Sequence, residues 1–138
     1  MTTITRTVAP ATTSTSTRAL VLTGVAAAAI ASVATATVAA AGHAAGISLD
    51  VSGAPIPVSG FAMLTAIFSL VGLVLAVILS RVTRRPRTIF IRTTVALTAL
   101  SLVPDLLADA TTGTKLLLMV THLVAAAIVV PAVARRLA

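Results

Sequence analysis

The chain contains no cysteine, tryptophan or tyrosine. Without cysteine there are no disulfides, no thiol nucleophile and no thiolate metal site. Without tryptophan and tyrosine there is no belt of interfacial aromatics. Only Phe61, Phe68 and Phe90 remain to stack on a flat cofactor. Charge is scarce too: 9% of residues are charged, against about 25% in soluble domains. The acids are Asp50, Asp105 and Asp109 alone. No nucleotide-binding loop, nucleophile elbow, kinase signature or H-E-x-x-H zinc motif occurs, so the sequence points to no cofactor.

What is present is apolar. Hydrophobic residues make up 58% of the chain and gather in four stretches at about 19–42, 61–80, 88–110 and 116–134. Each has about the 20 residues that an α-helix needs to cross roughly 30 Å of hydrocarbon. The basic residues sort by gap. Arg6 and Arg18 precede the first stretch, Arg81, Arg84, Arg85, Arg87 and Arg92 lie around the second gap, and Arg135 and Arg136 follow the fourth stretch. Lys115 and all three acids fall towards the other side. Arginine and lysine near span ends stay cytoplasmic. The expected fold is all-α: an integral membrane up-down four-helix bundle with both termini cytoplasmic. The net charge of +7 is then a matter of topology and of attraction to anionic lipid. Nucleic acid is not an expected partner, because no aromatics interleave the arginines.

Residues 1–17 are mostly Thr, Ser, Ala and Pro and predict a disordered cytoplasmic tail, leaving 18–138 as one membrane domain. The first stretch also carries the marks of a cleavable signal peptide, but its apolar run exceeds a usual signal core, and a retained span is expected. Within it Gly24, Ala28, Ser32, Ala36 and Ala40 recur every four residues, a small-residue stripe suited to close helix packing. Residues 43–60 read two ways. Ile47, Leu49 and Val51 alternate with Ser48 and Asp50, and Ser-Gly-Ala-Pro follows as a turn signal, which fits a short hairpin. An apolar loop lying on the bilayer fits equally. In the second stretch Thr65, Ser69, Gly72, Ala76 and Ser80 share a face, while Leu70, Val71, Leu73, Val74, Val77 and Ile78 suit lipid. The short loop that follows makes the second and third spans antiparallel neighbours.

The candidate site lies on the third and fourth spans. Thr94, Thr98, Ser101, Asp105 and Asp109 are spaced 4, 3, 4 and 4, one helical face. Such a stripe is costly against lipid and belongs against a cavity, the bundle interior or a partner. Pro104 inside it predicts a kink. Counting rises from the expected span ends sets Asp105 roughly 7 Å and His122 roughly 10 Å from the outer surface, so the two are expected to meet. Asp109 is expected to pair with Lys115. Thr98, Ser101, Asp105, Asp109 and His122 are therefore the ligand-binding candidates, with Asp105 and His122 the candidates for acid–base chemistry. The bland alternative is a satisfied interhelical clasp. His43, Asp105, Asp109 and His122 are acceptable zinc ligands in kind, but their spacing forms no metal motif and no metal is expected. Haem between His43 and His122 is weaker still.

Pro104-Asp105, His122 and Pro131 before Arg135-Arg136, within ALSLVPDLLADATTGTKLLLMVTHLVAAAIVVPAVARRL, resemble a family of small actinobacterial four-span membrane proteins catalogued as a domain of unknown function. The resemblance covers about residues 19–138. It implies the plasma membrane and four spans, and it brings no activity. The favoured reading is an accessory or scaffold subunit that packs in a larger membrane complex or as a homo-oligomer. The alternatives are an outward-facing binding or carrier protein for a small apolar ligand, and a membrane-embedded acid–base enzyme using Asp105 and His122.

Overall fold

The computed structural model describes residues 16–137; residues 1–15 of the expected tail lie outside them. The described chain is four helices and one small hairpin: α1 Thr17–Ala44, β1 Asp50–Val51, β2 Ala54–Pro55, α2 Val58–Val82, α3 Pro86–Leu107 and α4 Thr112–Ala134. All four helices are long and apolar enough to cross a membrane, which marks a multi-pass membrane protein.

Local chemistry sets the helix ends. Ser16 caps α1 by accepting from the Ala19 amide, and alanine-rich sequence carries the helix onward. It stops in a Schellman motif: Gly46 takes φ +87°, its amide bonds to the His43 carbonyl, and the Ile47 amide bonds to that of Gly42. Pro86 opens α3, where a missing N–H costs nothing. Thr111 caps α4 through the Thr114 amide.

The residues that pack α1 differ from the expected stripe. The buried set is Leu20, Gly24, Ala27, Ala28, Ala31, Thr35, Ala39 and Gly42. A strict four-residue repeat advances about 40° per step beyond a full turn. The stripe therefore begins on the packed face at Gly24 and Ala28 and has rotated out to the exposed Ala40. Alternating threes and fours keep the buried set on one side. Two glycines of that set admit leucines from neighbours. A Cβ on Gly24 would lie 2.9 Å from Leu73 Cδ2, and one on Gly42 would lie 2.8 Å from Leu117 Cδ1. Leu73, expected against lipid, is thus buried under α1. Between these leucines Thr35 Oγ1 and Thr65 Oγ1 bond at 2.9 Å. At the end of α4, Arg136 Nε donates to Thr23 Oγ1 at 3.0 Å. These contacts pair early residues of α1 with late residues of α2 and α4, so α1 runs opposite to both.

The core has two parts. One cluster, near the arginines, joins Leu20, Ala27, Leu73, Phe90, Val129 and Val133. The other joins Ala39, Leu49, Phe61 and Leu117, with Ile47 packed against it. The hairpin reading of 43–60 is the one realised. Asp50 pairs with Pro55 and Val51 with Ala54, and Ser52 (φ 53°) with Gly53 (φ 78°) forms a two-residue turn with both φ positive. Leu49 and Ile47 plug this end of the bundle.

Helix α3 ends earlier than its apolar run, and its packing is uneven. The helix continues through Pro104 for less than a turn and ends at Leu107, because Ala108 turns extended, so it stops short of residue 110. Despite the short α2–α3 loop, α3 packs more extensively on α4 than on α2. Its buried residues are Pro86, Phe90 and Asp105 alone. From Phe90 to Asp105 it rises roughly 22 Å without burying a side chain.

Candidate functional site

The unburied middle of α3 stands over a cleft of about 350 Å³ bounded by α2, α3 and α4. Its walls are mainly apolar, from Leu64, Phe68 and Leu75 on α2, Phe90 and Leu97 on α3, and Ala125 and Val129 on α4. Polar groups come from each helix: Thr65 and Ser69, then Thr94, Thr98 and Ser101, then Thr121 and His122. Of the α3 stripe, Thr94, Thr98 and Ser101 therefore face a cavity, and Asp105 and Asp109 are not part of its wall.

Asp105 and His122 meet. His122 Nδ1 lies 2.8 Å from Asp105 Oδ2 and 3.0 Å from the Leu118 carbonyl oxygen. The ring N–H is aligned on Leu118, and Oδ2 is a buried oxygen without an aligned hydrogen bond. The two distances describe a close polar contact in which the carboxyl oxygen is under-served. The Asp105 side chain is 9% exposed and that of His122 42%. A carbonyl only accepts, so Nδ1 carries the hydrogen. Nε2 is left without a bonding partner among the described residues. An imidazole backed by a carboxyl group, with its second nitrogen free, can accept a hydrogen bond or a proton.

The depths that predicted this pairing are not those of the structure. Asp105 lies only about 3 Å from the end of α3, whereas His122 lies about 15 Å into α4. The helices meet there because α4 begins well beyond the end of α3. Its first turns pack on the hairpin instead, where the Thr114 hydroxyl donates to the Ser48 carbonyl.

Asp109 leaves the stripe. It is exposed in the α3–α4 connection, and its carbonyl accepts from the Ser52 amide at 2.8 Å. The expected Asp109–Lys115 pair does not form. Lys115 Nζ donates instead to the Leu106 carbonyl at 3.1 Å, satisfying a group freed by the end of α3. His43 is exposed on the last turn of α1. Among the described residues no three His, Asp or Glu side chains gather as a metal site would need. Sequence reasoning found Thr98, Ser101 and His122 of the cleft wall but not Thr121. Its signal was modest: Thr114, Thr121 and Ala125 recur on the inner side of α4.

No curated protein matches the chain, and no solved structure matches it. The family of unknown function DUF6069 matches residues 15–138, which include every residue of the cleft, and the chain belongs to that family.

Proposed function

We propose that this chain binds a small, mostly apolar molecule drawn from the bilayer into the cleft between α2, α3 and α4. In this reading it is an up-down bundle of an actinobacterial plasma membrane, with both termini and the arginine-rich end cytoplasmic and the hairpin outside. One observation carries the proposal: the hydroxyl stripe of α3 and His122 line an apolar cavity of ligand size. The scaffold reading loses part of its motive, because Gly24 and Gly42 receive the chain's own Leu73 and Leu117.

A second reading keeps one support. Ser32, Ala36, Thr37 and Ala40 form a shallow groove on α1 beside Ala62, where a helix of a second copy or of a larger complex would fit. Native mass spectrometry after gentle extraction separates the two. The binding reading expects a reproducible small-molecule adduct that Gly72→Leu removes, since a side chain at Gly72 grows into open space on the cleft wall. A stoichiometric protein companion or homo-oligomer without added small mass would replace it with the scaffold reading.

A further inference from the structure

The polar atoms of the cleft are nearly all acceptors. Thr94 donates its hydroxyl hydrogen to the Phe90 carbonyl at 2.8 Å. Ser101 donates to the Thr98 carbonyl and Thr121 to the Leu118 carbonyl, both at 2.7 Å. Thr35 donates to the Ser32 carbonyl, so in the Thr35–Thr65 bond the donor is Thr65. His122 has its Nδ1 hydrogen on Leu118. Each of these groups has its hydrogen committed within the protein and keeps lone pairs: the hydroxyl oxygens of Thr65, Thr94, Ser101 and Thr121, and Nε2 of neutral His122. Only Ser69 and Thr98, among the polar lining residues, have a hydroxyl without a bond in the described residues.

A wall of acceptors discriminates. A ligand head that only accepts, such as a carboxylate or a phosphodiester, finds few donors and leaves lone pairs facing lone pairs in a medium of low dielectric, where unmatched polar groups are costly. A head rich in N–H or O–H groups finds partners on all three helices. One further acceptor stands behind the wall. Asp105, buried behind His122, has an Oδ2 with no aligned donor. Its only ion-pair contact among the described residues is His122, and Lys115 is occupied at Leu106.

We infer that the ligand is a cationic amphiphile with a hydrogen-bond-donating head, a long-chain primary amine, whose ammonium lies among Ser101, Thr121 and His122 while its chain follows Leu64, Phe68 and Leu97. This inference names the ligand class of the binding site proposed above and rests on that proposal. Donor capacity and positive charge are separate requirements, and a set of simple amphiphiles tells them apart.

The test uses the full chain in lipid nanodiscs and a tetradecylamine bearing a diazirine on its chain. Labelled residues are mapped by mass spectrometry, and unlabelled competitors are supplied at equal mole fraction in the bilayer. Labelling is expected on the cleft walls of α2, α3 and α4 and is lost in Gly72→Leu. Tetradecylamine is expected to compete about tenfold better than tetradecyltrimethylammonium, which has the charge without donors. Tetradecanol falls between them, and tetradecanoic acid is the weakest. Ser101→Ala, which removes one acceptor from the wall, narrows the gap between the amine and its trimethylated analogue. If the trimethylated amine or the acid competes as well as the amine, the head-group inference is overturned while binding in the cleft stands. If cleft labelling matches that of the lipid-facing Val74 and Ile78 and survives Gly72→Leu, both the inference and the binding reading fall.

Discussion

Replacing Gly24 by valine tests a close helix contact in the bundle. A Cβ there lies 2.9 Å from Leu73 Cδ2 and 3.1 Å from Leu73 Cγ, so a branched side chain must displace a leucine that is only 6% exposed. Overpacking of this kind costs about 1–3 kcal/mol. Leaving glycine in a helix interior returns a few tenths of a kcal/mol when the new residue is valine and about 1 kcal/mol when it is alanine. The expected net loss for Gly24→Val is therefore about 1–2.5 kcal/mol, roughly a five- to seventyfold shift of the folding equilibrium. Gly72→Ala is the control: nothing lies within 4 Å of its new methyl, and it is expected to stabilise by up to about 1 kcal/mol. Because the chain has no cysteine, Thr17→Cys and Arg135→Cys supply specific sites for a dye pair across α1 and α4. Unfolding in mixed micelles of SDS and a mild detergent is then read by energy transfer. Equal shifts for Gly24→Val and Gly72→Val would refute the claim that close approach of Leu73 is what requires glycine at 24.

Three further outcomes are expected, the first two in the same unfolding assay. A double-mutant cycle of Thr35→Val and Thr65→Val yields a coupling of about 0.6 kcal/mol, the usual scale for an interhelical hydrogen bond in a membrane; zero coupling would mean that the 2.9 Å contact is fortuitous. Phe90→Ala costs about 3–5 kcal/mol, because this fully buried ring anchors the arginine-end half of α3; a loss below 1 kcal/mol contradicts that role. Ser52→Gly relieves a positive φ and stabilises the hairpin by about 0.5–1 kcal/mol, visible as slower amide exchange at Ile56, whose N–H bonds to the Leu49 carbonyl.

Some of this architecture is legible in the chain because it follows from length and period. Four helices are implied by four long apolar runs, whereas the alternation of residues 47–51 with its turn signal left a short hairpin and an apolar loop equally open. The Asp105–His122 contact could be read because these are the ionisable groups that apolar sequence carries away from the interface, and each then needs a partner. What failed did so for geometric reasons. A four-residue repeat looks like a stripe in print and is a slow spiral on a helix, so Ser32 and Ala36 are only half-buried and Ala40 is exposed. Leu73 looks like any lipid-facing leucine until Gly24 is set opposite it. Asp109 keeps the spacing of its stripe but lies past a helix end decided by Ala108. The cleft was out of reach because it arises from the distance between α2 and α3. The cleft opens beside the stretch of α3 between Phe90 and Asp105, where no side chain is fully buried.

The bond from Arg136 to Thr23 joins residues 113 positions apart, and this has a consequence for how the protein is made. Helix α1 finds one of its two partners only when α4 has been synthesised. Until then the side of α1 that carries Gly42 has only lipid against it, and the seat for Leu117 is empty. The hairpin plug is equally incomplete, since the Ser48 carbonyl and the Ser52 amide wait for Thr114 and Asp109. Assembly of this bundle is thus closed by α4, and a chain that stops after α3 has its helices inserted but its interior unmade. Truncation at residue 107 should leave a protein that reaches the membrane and is then cleared by quality-control proteases.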